Sequence, residues 1–238
     1  MKYERILLKM SGEVLSGETP IDFKKVTAAA EHVKKLHDLG CKIGVVVGGG
    51  NMWRGRSSGK MDRNRADNIG MLATAMNALA LEQALIELKI PVRVLSAVEM
   101  NVFMDTYSAR EANKSVDEGT VVIFACGTGS PFFSTDTAAA LRAAQINADA
   151  LLLAKNIDGI YTADPAADKN AKRYVRISYD EVIKNNLKAT DLTAISFCRE
   201  YGIPIVVFDM RRDENFIKAV NGENSGTVVN GEEGFELA

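Results

Sequence analysis

Hydrophobic residues occur along the chain in short, β-branched runs that alternate with longer stretches of helical periodicity. The runs predict strands at residues 5–9, 42–47, 92–95, 121–125, 150–153 and 205–208. Several of these runs are apolar throughout, which is typical of parallel strands that are covered on both faces.

The stretches between the runs predict helices. The first begins after Asp22, a suitable N-cap, and ends at Gly40. Two further helical patterns extend from about Asp67 to Leu88 and from Thr135 to Ile146. The alternation of strand and helix predicts an open, mostly parallel sheet with helices on both sides, in which ligands bind beyond the carboxyl ends of the strands.

No internal repeat or linker divides the chain, so we predict a single domain over residues 1–238. A division into lobes 1–120 and 121–238 is placed where a new strand follows the polar stretch 110–119. The net charge of −2 gives no basic field that would favour nucleic acid or an anionic membrane. The three cysteines, far apart and without CxxC spacing, are interpreted as buried free thiols.

The N-terminus carries only three consecutive apolar residues, too few for a signal peptide, and no run of about 18 apolar residues is long enough to span a membrane. We therefore expect a cytoplasmic protein that does not bind membranes. Since net charge is near zero, any anion site must be local.

Two predicted strands end in glycine-containing turns. Lys9-Met10-Ser11-Gly12 follows the first, where an ammonium group and bare backbone N–H groups could approach one phosphate, although a surface lysine before a turn is the better interpretation of this segment alone. Gly48-Gly49-Gly50 follows the second and leads to Arg54, whose guanidinium suits a phosphate. Three consecutive glycines indicate either a sharp turn or a backbone that lies against a ligand.

Two known phosphate motifs do not match this turn. The dinucleotide pattern Gly-x-Gly-x-x-Gly fails because Trp53 stands where the third glycine belongs. A P-loop starting at Gly50 fails because Arg56 replaces the required lysine and residues 57–59 continue as a loop instead of a helix.

The most specific segment is Gly127-Thr128-Gly129-Ser130-Pro131-Phe132-Phe133-Ser134-Thr135-Asp136, which connects a strand to an alanine-rich helix. A strand, a glycine-rich loop and a helix N-terminus together form an anion site, because the exposed N–H groups and the helix dipole favour phosphate. Asp136 alone would be an ordinary residue of a first helical turn.

Later strand ends add weaker signals. Asp158-Gly159 and Asp164-Pro165 mark turns around Tyr161, which either stacks on a base or only fixes the loop. Asp191 taken alone is an acidic residue at the start of a helix.

In their order and spacing, these segments resemble the bacterial uridylate kinases of the amino acid kinase superfamily. The resemblance extends from Ile6 to about Val229 and is carried by residues 9–13, 47–55, 70–77 and 127–136. It implies a three-layer αβα sandwich with an open, mostly parallel central sheet. It also implies transfer of the ATP γ-phosphoryl group to UMP with Mg²⁺, a homohexamer, and GTP or UTP as effectors in some members.

The resemblance implies three sets of site residues. The catalytic set is Lys9, Arg54, Asp136 and Asp191, with the two aspartates orienting Lys9 and the water shell of the metal. The ATP set is Lys9, Met10, Ser11, Gly12, Gly50, Arg54, Asn156, Tyr161 and Asp164. The UMP set is Gly49, Asp67 and the loop residues Thr128, Gly129, Ser130, Pro131, Phe132, Phe133, Ser134 and Thr135, with Asp67 on the ribose hydroxyls. No protein ligand to the metal is expected, since Mg²⁺ is held by nucleotide phosphates and water.

The chain departs from the family pattern at Leu153, where many members have a lysine, and near Lys155, where they have a threonine. Lys155 would then replace that lysine from a shifted position, and Asn156 would contact the adenine. Two alternatives remain open: a sibling kinase that acts on another acceptor, and a nucleotide-binding protein without catalysis.

Overall fold

The computed structural model describes residues 1–53, 61–187 and 190–238. The strands of this part form one sheet: β1 (Arg5–Met10), β2 (Lys42–Val47), β3 (Val92–Ser96), β4 (Asp105–Thr106), β5 (Val121–Ala125), β6 (Ala150–Lys155), β7 (Tyr174–Ser178), β8 (Ile205–Asp209), β9 (Gly226–Asn230) and β10 (Phe235–Leu237). The helices are α1 (Phe23–Asp38), α2 (Arg63–Glu87), α3 (Ala109–Asp117), α4 (Thr135–Gln145), α5 (Tyr179–Lys184), α6 (Leu192–Glu200) and α7 (Glu214–Asn221). A 3₁₀ turn at Gly12–Leu15 follows β1.

The strand order is β10-β7-β9-β8-β6-β1-β2-β5-β3-β4. The pairs β8–β9 and β10–β7 are antiparallel and the other neighbours are parallel, which confirms the mostly parallel sheet. The strand that follows residue 120, β5, lies between β2 and β3, so both predicted lobes contribute to one sheet. The division near residue 120 itself stays a prediction.

Helices cover both faces of the sheet, which confirms the three-layer architecture. On one face, α1, α2 and α7 pack on Ile6, Leu8 and Met10 of β1. On the other, α3, α4, α5 and α6 pack on a core that includes Leu7. Because side chains alternate along a strand, Lys9 follows Leu7 onto the face that α4 covers.

The predicted boundaries of α1 are confirmed by its caps. The Asp22 carboxylate accepts the N–H of Lys24 at 3.0 Å, and Gly40 has a φ of +88°, the left-handed conformation that ends many helices. The prediction for α2 was wrong by four residues, since α2 begins at Arg63 and is capped by Asp62. Its first turn is polar, so the hydrophobic pattern that predicted it begins only later.

Helix α2 is long and apolar enough, by length and composition alone, to cross a membrane. Ala75, Ala78, Leu81 and Leu85 of this helix lie in the core. A buried core helix passes the same test, so this property carries no membrane assignment. Cys41, Cys126 and Cys198 are free and buried, as predicted.

Candidate active site

The carboxyl ends of β1, β2, β5 and β6 meet at one edge of the sheet, where they surround a cavity of about 810 Å³. The residues that line it come from every segment singled out in the sequence except the turn around Tyr161. They include Lys9, Gly49, Gly50, Asp67, Gly127, Thr128, Ser130, Phe133, Ser134, Thr135, Asp136, Lys155, Thr190 and Asp191.

A second cavity of about 350 Å³ adjoins the first one. Ser11, Asn156 and Ile157 line only this second cavity, whereas Lys9 and Lys155 line both. The two lysines therefore stand where the two spaces meet.

Asp136, in the first turn of α4, brings these lysines together. One of its carboxylate oxygens lies 2.8 Å from Nζ of Lys9, and the other lies 3.2 Å from Nζ of Lys155. The hydroxyl of Thr190 donates a further hydrogen bond of 2.7 Å to the same carboxylate. A single, partly buried carboxylate thus holds two ammonium groups side by side.

Strand geometry explains why Lys155 reaches this position. Lys9 pairs in register with Leu153 of the neighbouring strand β6, and Leu153 lies on the face covered by α4. Residues two apart in a strand point to the same face, so Lys155 lies on that face as well. Lys155, two residues after the family's lysine position at Leu153, therefore still contacts Asp136. This contact agrees with the hypothesis that Lys155 replaces the family's lysine.

The charges at this site alter each other's pKa values. Burial alone would raise the pKa of Asp136, but Lys9 and Lys155 outweigh it and hold that pKa well below its usual range. Burial lowers the pKa of Lys155, and the attraction of Asp136 offsets only part of that effect. Bound phosphates would therefore meet two lysines that share a single carboxylate.

Asp191 has other partners than Lys9. It caps α6 through the N–H of Thr193, and its carboxylate accepts hydrogen bonds from the hydroxyls of Ser134 at 2.5 Å and Thr137 at 2.6 Å. Burial acts to raise the pKa of Asp191, yet these hydrogen bonds leave it lowered. Asp191 therefore joins the N-termini of α4 and α6 on the wall of the larger cavity. Lys9 pairs with Asp136 and not with Asp191.

Asp67 contacts the loop of residues 127–135 directly. Its carboxylate accepts the backbone N–H of Phe132 at 2.8 Å and pairs with Nε of Arg63 at 2.7 Å. Phe132 has a φ of +71°, uncommon for a residue with a side chain, so this hydrogen bond supports a strained backbone. The predicted ribose contact of Asp67 stays a prediction.

Hydrogen bonds from two side-chain amides, those of Asn77 and Asn51, hold the glycine turn 48–50. Asn77 of α2 is fully buried and donates to the carbonyl of Gly48 at 2.7 Å, and it exchanges hydrogen bonds with Asn51. Asn51 also donates to the carbonyl of Pro20, which joins the turn to the loop before α1. Sequence reasoning missed Asn77 as a support, although it ends the run 70–77 that carries part of the resemblance.

The remaining predicted site residues lie as follows. The side chain of Met10 is fully buried in the core. The hydroxyl of Tyr161 donates to Asp158 at 2.7 Å, and Asp164 accepts the N–H of Ala166, so both side chains stabilise turns of their own loop. Arg54 lies outside the described residues, as does most of the segment that was tested against the P-loop.

Replacing Gly12 with alanine is expected to lower both stability and activity. A Cβ at this position would overlap the carbonyl oxygen of Gly48 and the amide oxygen of Asn51, and such overpacking costs about 1–3 kcal/mol. The displaced atoms belong to the glycine turn, so we expect turnover to fall at least ~10-fold, measured beside urea unfolding. Gly231→Ala is the control, because a Cβ there meets nothing within 4 Å. Wild-type activity in Gly12→Ala would contradict the close packing of the turn.

Comparison with known proteins agrees with this geometry. The sequence model of the amino acid kinase family matches residues 4–209. The chain belongs to the amino acid kinase family. Its structure is similar to that of UMP kinase from Bacillus anthracis, with a TM-score of 0.96 and 34% identity over 100% of both chains.

Two further solved structures are similar over nearly the whole chain. UMP kinase from Ureaplasma parvum has a TM-score of 0.90 and 38% identity, with 97% of this chain and 100% of that chain covered. Uridylate kinase from Archaeoglobus fulgidus has a TM-score of 0.72 and 29% identity, with 94% and 99% covered. The amino acid kinase fold implied by the sequence resemblance is thus confirmed.

Proposed function

We propose that this chain transfers the γ-phosphoryl group of ATP to UMP, giving ADP and UDP. The observation that carries the proposal is the position of Lys9 and Lys155 between two adjoining cavities, one for each nucleotide. The larger cavity, which residues of the loop 127–135 line in part, receives UMP. The smaller one receives the phosphates of ATP. Full-length similarity to three uridylate kinases supports the choice of substrates.

The chemistry requires positioning and charge screening more than acid–base catalysis. An oxygen of the UMP phosphate forms a bond to the γ-phosphorus while the bond from that phosphorus to the β–γ bridging oxygen breaks, leaving ADP. The attacking oxygen is already ionised at neutral pH, so no base has to remove a proton. Lys9 and Lys155 stabilise the charge that spreads over the transferring group, and Asp136 keeps both ammonium groups in place.

Mg²⁺ supplies further charge screening when it enters with ATP. Among the described residues, no group of three or more His, Cys, Asp or Glu side chains is arranged to hold an ion. We expect phosphate oxygens and water to coordinate the metal. Asp191, on the cavity wall, would accept a hydrogen bond from that water.

A coupled assay with ATP, Mg²⁺ and a panel of nucleoside monophosphates tests the substrate assignment. We expect kcat/KM for UMP to exceed that for CMP and AMP by at least ~100-fold, because a site that hydrogen-bonds one base leaves buried polar groups unpaired with another. Equal rates with CMP or AMP would overturn the assignment. Binding of ATP without turnover would indicate a nucleotide-binding protein, and turnover with a carboxylate acceptor a sibling kinase.

Substitution of Asp67 with asparagine is expected to raise the KM for UMP about tenfold and to change kcat less. The substitution removes the charge that holds Arg63 and weakens the support of the Phe132 N–H, and a hydrogen bond to a charged group contributes about 1.5–3 kcal/mol. Initial rates at varied UMP concentrations measure both KM and kcat. Asp105→Asn, which alters an exposed pair with Arg93 at the edge of the sheet, is the control and should leave KM unchanged. An unaltered KM in Asp67→Asn would remove Asp67 from the UMP site.

We also propose a homohexamer in the cytoplasm, and we name GTP and UTP as nucleotides to be tested as effectors. The exposed apolar residues Ile69, Leu72 and Met76 on α2 support self-association, since large apolar surfaces in contact with water are unfavourable. Light scattering on the purified protein tests the assembly, and a monomeric mass would contradict it. The same kinetic assay with added GTP or UTP tests regulation.

A further inference from the structure

The turn that opens the loop 127–135 is strained. Cys126 and Gly127 are both left-handed, with φ values of +61° and +58°. A residue with a Cβ adopts this conformation at a cost of about 1–2 kcal/mol, and such strain persists only where the surrounding structure holds it. The N–H of Gly129 donates to the carbonyl of Cys126 at 2.9 Å and closes the turn.

Two side chains hold this turn from outside the loop. The hydroxyl of Thr74 on α2 accepts the N–H of Cys126 at 2.9 Å. Arg142 on α4 donates from Nη2 to the carbonyl of Gly127 at 3.2 Å. The peptide groups on either side of the strained residues are therefore fixed by different helices.

Arg142 is unusual because it is a buried cation with neutral partners. The residue is 3% exposed, its Nη1 donates to the side chain of Gln145 at 2.7 Å, and its guanidinium stacks on Tyr107 at 3.8 Å from the ring centre. Its Nε is buried without a hydrogen-bond partner. Within the described part of the chain, no carboxylate forms an ion pair with it.

A buried charge without an opposite charge is unfavourable for folding, and replacing such groups by apolar residues of similar size is often neutral or stabilising. The stacking on Tyr107 favours a cation at this position, whereas Gln145 would accept a hydrogen bond from any donor. What only a long donor on α4 supplies is the hydrogen bond to Gly127, the first residue of the loop on the cavity wall.

We infer that Arg142 is a positioning residue for the acceptor nucleotide, which acts by holding the Cys126–Gly127 turn in its left-handed conformation. The inference deepens the proposed function and rests on it for the identity of the acceptor. Through this turn, Arg142 sets the path of residues 127–130, of which Gly127, Thr128 and Ser130 line the larger cavity. It does not touch the cavity itself, so its effect should be on acceptor binding and not on ATP.

Kinetics of Arg142→Met and Arg142→Lys, at varied UMP and varied ATP, test the inference. Methionine keeps the side-chain volume but removes the charge and the donor. We expect the KM for UMP to rise about tenfold, the KM for ATP to stay within about twofold, and the melting temperature to be unchanged or higher. Arg142→Lys retains a donor and should recover part of the lost affinity.

The control is Arg93→Met, which removes an arginine from the sheet edge, where it pairs with Asp105 and Glu111. It should leave both KM values unchanged. A UMP KM in Arg142→Met within twofold of the parent value would overturn the inference. So would equal rises in both KM values together with a lower melting temperature, which indicate a purely structural role.

Amide hydrogen exchange without nucleotide separates this inference from the proposed function. In Arg142→Met the amides of Cys126 and Gly129 should exchange at least ~10-fold faster than in the parent protein, while amides of β1 keep their protection. Unchanged exchange at both amides overturns the inference, whatever the substrate. Failure of the parent protein to phosphorylate UMP overturns the proposed function, and the exchange result then still decides whether Arg142 holds the turn.

Discussion

Asp136→Asn is expected to lower turnover at least ~100-fold and to destabilise the protein by about 3 kcal/mol. Asparagine is nearly isosteric, so the change removes charge and little volume. Lys9 and Lys155 would then be two partly buried ammonium groups without the carboxylate that both contact. Their mutual repulsion moves them apart, and the geometry required at the transferring phosphoryl group is lost.

Nucleotide should affect this variant differently from the parent protein. The ATP phosphates bring negative charge to the two lysines, so saturating ATP should recover part of the lost stability. The KM for ATP is therefore expected to stay unchanged or to decrease, although kcat decreases strongly. Urea unfolding with and without ATP measures the stability, and single-turnover kinetics measure the chemical step.

The pH dependence of stability provides a second test of the same residue. The pKa of Asp136 is depressed in the folded protein, so its contribution is present above the unfolded value of about 3.9 and is lost as pH falls through the folded value. The stability difference between the parent and Asp136→Asn should hence be constant from about pH 5 to pH 8. It should narrow only in more acidic solution.

Asp149→Asn is the matched control. Asp149 accepts the N–H groups of Glu4 and Arg5, both at 2.8 Å, and it precedes β6 at the opposite end of the strands from the site. We expect it to cost about 1 kcal/mol of stability and to leave turnover unchanged. Turnover within threefold of the parent value in Asp136→Asn would contradict a role for the carboxylate in holding the lysines.

The central strands and the site segments between them could be predicted because each is marked by residues adjacent in the sequence. Apolar runs mark the strands that both helical layers cover, and glycines mark the turns after them. The sequence-based prediction for α2 was wrong by four residues because its first turn is polar and rests on Asp62 as a cap. Local patterns contain no information about contacts between residues far apart in sequence.

The site illustrates this limit at particular residues. Asp136 was recognisable as an acidic residue at a helix N-terminus, yet its contact with Lys155 depends on the register between β1 and β6. Asn77 and Arg142 gave no signal of their own, because a polar residue in a helix is usually exposed. Their importance follows only from burial and from the backbone carbonyl oxygens of Gly48 and Gly127 that they contact.

Replacing Lys9 is expected to affect the protein differently from replacing Asp136. Lys9→Met should lower kcat about 100- to 1,000-fold, the usual effect of removing one group that stabilises developing charge. Asp136 keeps Lys155 as a partner in this variant, so the loss of stability should be smaller than in Asp136→Asn. Steady-state kinetics and urea unfolding of both variants measure the difference.

The double variant Lys9→Met with Asp136→Asn measures the energetic coupling between these two residues. Removing Lys9 relieves the repulsion that Asp136→Asn creates, so the double variant should be more stable than the sum of the two single effects predicts, by about 1–2 kcal/mol. Lys42→Met, which breaks an exposed pair with Asp117, is the control and should leave kcat unchanged. Additive stabilities would show that the carboxylate and Lys9 act independently. Coupled stabilities, with kcat lowered at least ~100-fold by either change, would establish that one partly buried carboxylate holds the ammonium groups in the arrangement that phosphoryl transfer requires.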